Sequence, residues 1–117
     1  MRPKFRCVDR SKGEYIFGYP VYAEEGMFFE VKDKKNICLN IHADMDTVAE
    51  YTGLNDSTGR EIYEGDTVEL NLFTRRVLGT VRFVDGCWIV ESEDVLLNGA
   101  RHDYLKCYTC NRACTVI

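Results

Sequence analysis

A chain of 117 residues is long enough for one compact domain or two very small lobes, and too short for two independent enzymes. Its 45% hydrophobic and 29% charged residues are those of a folding sequence, which sets disorder aside. The net charge is −4, with eight basic against ten acidic residues in 1–59 and seven against nine in 60–117, so neither half has the basic character of a general nucleic-acid binder.

Apolar runs such as Tyr15-Ile16-Phe17 and Val95-Leu96-Leu97 fall far below the roughly 20 residues that cross a bilayer. The opening MRPKFRCVDRSKGEY starts basic but has no apolar stretch behind it, so no secretory signal is expected. The expected address is the cytoplasm, with no membrane partner. Six cysteines raise the question of disulfides, but a cytoplasmic address disfavours them; Cys7, Cys38 and Cys87 sit among apolar neighbours and read as small buried hydrophobes.

In chain order, KFRCV alternates charged and apolar side chains and predicts a first strand, ended by the turn-prone DRSKG. EYIFGYPVYA predicts a second, with Gly18 and Pro20 marking a bend or bulge in an edge strand. A turn at EEG leads into MFFEV as a hairpin, and KDKKN turns into ICLNI. ADMDTVAEYTGL holds the one plausible helical turn, capped by Asp44 or Asp46, with an extended reading left open.

Four further strands follow, in EGDTVELNLF, RRVLGTVRFVDG, CWIVESED and YLKCYTC, at the spacing of small β-barrels. Asp85-Gly86 between TVRFV and CWIVE is the strongest hairpin signal, with Val81, Phe83, Cys87 and Ile89 facing one side and Arg82 and Glu91 the solvent. The prediction is a mainly β chain of two small lobes: residues 1–50, ending in the helical or irregular connector, and residues 51–117, an SH3-like barrel.

The stretch EYTGLNDSTGREIYEGDTVEL reads as scaffold. Asn55, Asp56 and Gly59 suit a loop, Ile62 and Tyr63 are apolar anchors, and Glu64-Gly65-Asp66 turns tightly into a strand through Val68. Thr47–Leu70 also resembles the central signature of the YopX protein family, small proteins encoded by bacteriophages and prophages. The matching positions are Tyr51, Thr52, Gly53, Leu54, Asp56, Gly59, Ile62, Tyr63, Glu64, Gly65, Asp66 and Val68. KFRCVDRSKGEY is similar to that family's opening and GTVRFVDGCWIVES to a later part, while the final CTVI departs from its usual Val-Ile-Gly-Asn type tail. The resemblance implies a mostly β fold and a phage or prophage origin in a bacterial host, and carries no activity across.

The sharpest chemical candidate is HDYLKCYTCNRAC. Thiolates of Cys107 and Cys110 can reach one Zn²⁺, with His102 and Cys114 completing a tetrahedron, yet a second paired knuckle is lacking, and unbound thiols are the preferred reading. A redox use of Cys107-x-x-Cys110 ranks lower still, because it needs a helix N-terminus to lower the thiol pKa, which a strand-rich tail does not offer. His42 and His102 are the only histidines and lie in no nucleophile motif; ESED reads as a solvated run, and the glycines lack a phosphate-loop pattern. No enzyme is expected, and no cofactor beyond Zn²⁺ at that cluster.

Arg75, Arg76 and Arg82 interleave with Phe73, Phe83 and Trp88 in the mixture that single-strand binders use, although core aromatics with a rim of arginines is the favoured account. Tyr15, Phe17, Tyr19, Tyr22, Phe28 and Phe29 are more aromatics than a tiny lobe hides, which points to a protein partner, self-association or packing between lobes. The reading is a non-enzymatic interaction module, with nucleic acid binding as the alternative and zinc binding as the second.

Overall fold

A computed structural model of the chain describes residues 4–10, 12–23, 26–32, 38–41 and 43–117, with side chains described for 4–10, 12–21, 29–30 and 46–117. It is mainly β and separates into two compact units, Met1–Tyr51 and Thr52–Ile117.

In the first unit, β1 (Phe5–Asp9), β2 (Tyr15–Ala23), β3 (Gly26–Lys32), β4 (Cys38–Ile41) and the start of β5 (Ala43–Asn55) form an antiparallel sheet in the order β4-β3-β2-β1-β5. β2 is therefore an interior strand and not the predicted edge. Of the predicted turns EEG and KDKKN, Gly26 and Lys32 are the ends of β3 and the rest lie outside the described residues, as does His42. Cys7 and Phe29 are fully buried, with Phe5, Ile16 and Val48 packed against them. The register of β1 on β5 shifts between Arg6 and Val8, and there Val8 N–H donates to Thr47 Oγ1 at 2.8 Å, so a side chain satisfies a donor at the irregularity.

The predicted helical turn in ADMDTVAEYTGL is strand. Thr47, Val48 and Thr52 are β-branched, which lowers helix propensity, and pairing with β1 at Phe5–Glu50 and Arg6–Ala49 holds the segment extended.

The second unit takes the last residues of β5, beside which lies β6 (Glu61–Tyr63), and a five-stranded antiparallel sheet. Its strands are β7 (Thr67–Asn71), β8 (Arg76–Val84), β9 (Cys87–Ser92), β10 (His102–Tyr104) and β11 (Cys114–Val116), in the order β10-β9-β8-β7-β11. β10 and β11 are the two ends, so the closed barrel predicted for this unit is not found. Between them the chain makes a five-residue helix, α1 (Leu105–Thr109), where a strand was predicted. Leu105 and Tyr108 explain it: three residues apart, both are fully buried, a spacing that puts them on one helix face but on opposite faces of a strand.

Alternation sets the core. Val68 and Leu70 of β7, Val77 and Val81 of β8 and Val90 of β9 point inward and meet Ile62, Leu105, Tyr108 and Cys114. Gly79 also points inward, where a Cβ would overlap Val90 Cγ2, so the missing side chain is the space Val90 fills. Asp85 and Gly86 have φ of 49° and 78°, the two positive values a type I′ turn requires. This two-residue turn pairs Val84 with Cys87 and Phe83 with Trp88, so residue parity reverses across it. Val81 and Phe83 consequently share a face with Trp88 and Val90, and Ile89 lies with Arg82 and Glu91. The prediction had placed Cys87 and Ile89 with Val81.

Candidate functional site

The Asp56 loop and the Gly65 corner show how the second unit is fastened before any binding surface is considered. Asp56 is 7% exposed, and its carboxylate accepts from Thr58 N–H (2.8 Å), Thr58 Oγ1 (2.7 Å), Arg60 N–H (2.9 Å) and Val116 N–H (2.9 Å). Burial pushes this carboxyl up, but those four donors outweigh it and hold it below the ordinary value of 3.8. At the corner, Gly65 has φ of 85°, its N–H donates to Val81 O at 2.8 Å, and Asp66 Oδ2 accepts from Tyr63 N–H at 2.9 Å. Thr52 Oγ1 donates to Ile62 O at 2.8 Å, within the same fastening. These bonds tie Thr52, Asp56, Gly65 and Asp66 of the motif into the backbone of the second unit.

The surface candidates fall elsewhere. Arg82 Nε meets Glu91 Oε2 at 2.8 Å, Arg76 Nη1 lies 3.5 Å from Glu69 Oε1, and Arg75 Nη2 donates to Val95 O at 2.5 Å. Phe73 is 98% exposed in the β7–β8 connection. Trp88 is half-buried against the core, edge-on to Phe83 with ring centroids 4.8 Å apart, on the opposite side of the sheet from Arg82. The structure thus does not gather Arg75, Arg76, Arg82, Phe73 and Trp88 on one face, and the two arginines of β8 already hold carboxylates.

In the first unit, Arg6 lies over the Tyr15 ring at 4.4 Å and Lys4 over Phe17 and Tyr51 at 6.0 and 5.8 Å, so two of the aromatics that the sequence singled out, Tyr15 and Phe17, each have a cation beside the ring. Phe29 is buried, Tyr19 is half-buried, and the side chains of Tyr22 and Phe28 lie outside the described residues.

The four tail residues separate by burial. His102 is exposed on β10, Cys107 and Cys110 are exposed on α1 and its C-terminal cap, and Cys114 is buried on β11. Burial pushes the Cys114 thiol up to about 12, with the Asp56 and Asp66 carboxylates adding to it, so it stays protonated in neutral water. Among the described residues, no three of His, Cys, Asp and Glu gather as a metal site would need.

What the tail does build is a groove of about 680 Å³, walled by Leu54, Cys87, Trp88, Tyr104, Cys107 and Cys110 and reached by Lys106. Each wall has a structural cause. Leu54 and Trp88 are held by the core they pack on. Tyr104 precedes α1, and Cys107 and Cys110 face outward because Leu105 and Tyr108 take the inward positions of the same turn. Tyr108 anchors that turn: its hydroxyl donates to Asp103 Oδ2 at 2.9 Å and accepts from Leu97 N–H at 3.3 Å. Burial, then the Asp103 hydrogen bond, pushes this phenol up to about 12. The turn closes through Arg112, whose φ of 53° lets Ala113 N–H reach Tyr108 O at 2.9 Å.

The sequence pointed to Trp88, Cys107 and Cys110 but for other chemistry, and it assigned Leu54 to scaffold and Cys87 to the core. Tyr104 was missed, because recognising it needed the helix start, and the signal for that was the Leu105–Tyr108 spacing.

No membrane-crossing helix occurs among the described residues, since none is long and apolar enough. No curated protein matches the chain. A family model described as YopX protein matches residues 4–117, nearly the whole sequence, and the chain belongs to that family.

Proposed function

From this membership of the YopX family, we propose that the protein is a non-enzymatic interaction module of phage or prophage origin, working in the bacterial cytoplasm. Its second unit binds a protein partner through the groove beside Trp88. The single observation that carries the reading is that groove: about 680 Å³, walled by aliphatic and aromatic side chains and thiols, with Lys106 at its edge. A peptide segment with one apolar anchor and an acidic neighbour fits such a lining.

The strand order supports an SH3-like reading of the unit. Four strands in a meander, β7 to β10, are followed by a helical turn and a fifth strand that returns beside the first, which is the order of those small barrels.

The test is affinity capture of tagged protein from its bacterial host, with and without nuclease, alongside Trp88→Ala and Leu54→Ser variants checked for folding by circular dichroism. A nuclease-resistant protein partner recovered by the parent and lost from both folded variants is the expected result. Recovery that vanishes with nuclease, or a partner retained by both variants, overturns the reading.

A further inference from the structure

The described cysteines differ in burial. Cys7 and Cys114 are buried, whereas Cys107 and Cys110 are exposed and, with the half-buried Cys87, line a single groove. The exposed pair shares one helical turn at a spacing of three, with Cys107 inside α1 and Cys110 at its C-terminal cap, so it is the spacing within the turn, and not a helix N-terminus, that brings the two thiols together. We propose that Cys107 and Cys110 are a modification site: a dithiol oxidised reversibly to an intramolecular disulfide by a low-molecular-weight disulfide such as oxidised glutathione, with the wall of the groove changing as it does so.

The geometry permits this with a local adjustment. Residues three apart on a helix have Cβ atoms about 5–6 Å apart, and a disulfide needs about 3.5–4.5 Å, so the turn must tighten by about 1–2 Å. The turn that must move is short. α1 is five residues long, Cys110 is its cap, and the bonds that involve the two cysteines are Cys110 N–H to Lys106 O at 3.0 Å and Asn111 Nδ2 to Cys107 O at 2.8 Å, while Ala113 N–H to Tyr108 O holds the anchored side. Leu105 and Tyr108 stay anchored in the core on the other side of the turn, so movement falls on Cys107 and Cys110 and on the groove they line.

The exchange balances without a further reactant. One cysteine loses its thiol proton to solvent and attacks a glutathione sulfur; the glutathione S–S bond breaks, a protein–glutathione S–S bond forms, and one glutathione thiolate leaves. The second cysteine, likewise deprotonated, attacks the protein-bound sulfur of that mixed disulfide and expels the second glutathione. Two protein thiols are oxidised and one glutathione disulfide is reduced to two thiols; excess dithiothreitol reverses the sequence. The chemistry of the pair is independent of what the groove holds, while its effect on partner binding rests on the function proposed above.

The sequence supplies its own assay. Trypsin cleaves after Lys106 and Arg112, so both cysteines fall in one peptide, CYTCNR, and the chain's single tryptophan stands in the same groove. Reduced full-length protein is incubated with oxidised glutathione in mildly alkaline buffer, quenched with acid, digested and analysed by mass spectrometry, with Trp88 emission followed in parallel. The expected result is a 107–112 peptide lighter by two hydrogens and free of glutathione, a matching change in Trp88 emission, and reversal of both by dithiothreitol. Cys110→Ser is expected to stop at a stable glutathione adduct on Cys107. A 107–112 peptide that carries two glutathiones, stays unmodified, or is linked to Cys87 overturns the proposal. A disulfide that forms while Trp88 emission stays constant overturns its second half.

Discussion

Within residues 107–114 the chain carries the same side chain into opposite circumstances. Cys114 sits beneath the Asp56 loop, buried, with Ser57 N–H donating to its carbonyl at 2.8 Å, and its thiol is held protonated. Cys107 and Cys110 stand on a single turn whose inward positions are taken by others. The difference teaches that placement, set by Leu105 and Tyr108 on one side and by Asp56 on the other, decides what a thiol in this chain can do. Residue type alone does not.

The largest break in that contrast is Asp56→Ala. It removes the acceptor of the Thr58, Arg60 and Val116 N–H groups, of which only the Val116 bond is buried, and a loss of about 3 kcal/mol is expected in urea unfolding, since bonds to a charged group contribute about 1.5–3 kcal/mol each and water takes over the exposed ones. Cys114 should then label with a thiol reagent under native conditions. The same carboxylate gives a pH signature. Its folded value lies below 3.8, so its contribution is whole above the ordinary carboxylate range and is lost as pH falls through the folded value. Stability measured from neutral pH into acid should fall more steeply for the parent than for Asp56→Asn.

Next in size is Gly65→Val. A β-branched side chain at φ of 85° costs about 2 kcal/mol in backbone strain, although nothing lies within 4 Å of the added Cβ. An unchanged melting temperature would show that the corner does not need its left-handed residue. Tyr108→Phe should cost about 1 kcal/mol through the lost bonds to Asp103 and Leu97, and should speed labelling of Cys107 and Cys110 by loosening their turn. Smallest is Arg82→Ala: its exposed pair with Glu91 should shift stability by no more than about 0.5 kcal/mol, which would confirm that the outer face of β8 is not what holds this unit.

Several features of this architecture were legible because a local rule fixed them. Asp85-Gly86 announced a hairpin, β7 and β8 announced themselves by alternation, and Gly65-Asp66 by the chemistry of a tight corner. What escaped needed distant partners. ADMDTVAEYTGL is held extended by β1, forty residues earlier in sequence, and β2 is interior because β3 and β1 flank it. The face assignment around the hairpin failed on register: a two-residue turn pairs odd with even positions, which shifts Ile89 to the side of Arg82. The groove was the least legible part, since Leu54, Trp88 and Cys107 come together only through folding.

One feature bears on how the protein is made. Asp56 Oδ2 receives its bond from Val116, sixty positions later, and β11 pairs with β7 from Cys114 to Val116. During synthesis, a chain that has emerged as far as β10 has an acid awaiting its donor and one side of β7 with its ladder open. The second unit therefore cannot settle progressively from its front; its sheet and its most demanding buried charge are completed together, by the arrival of residues 114–116. Until then that strand side is open to mispairing with a neighbour.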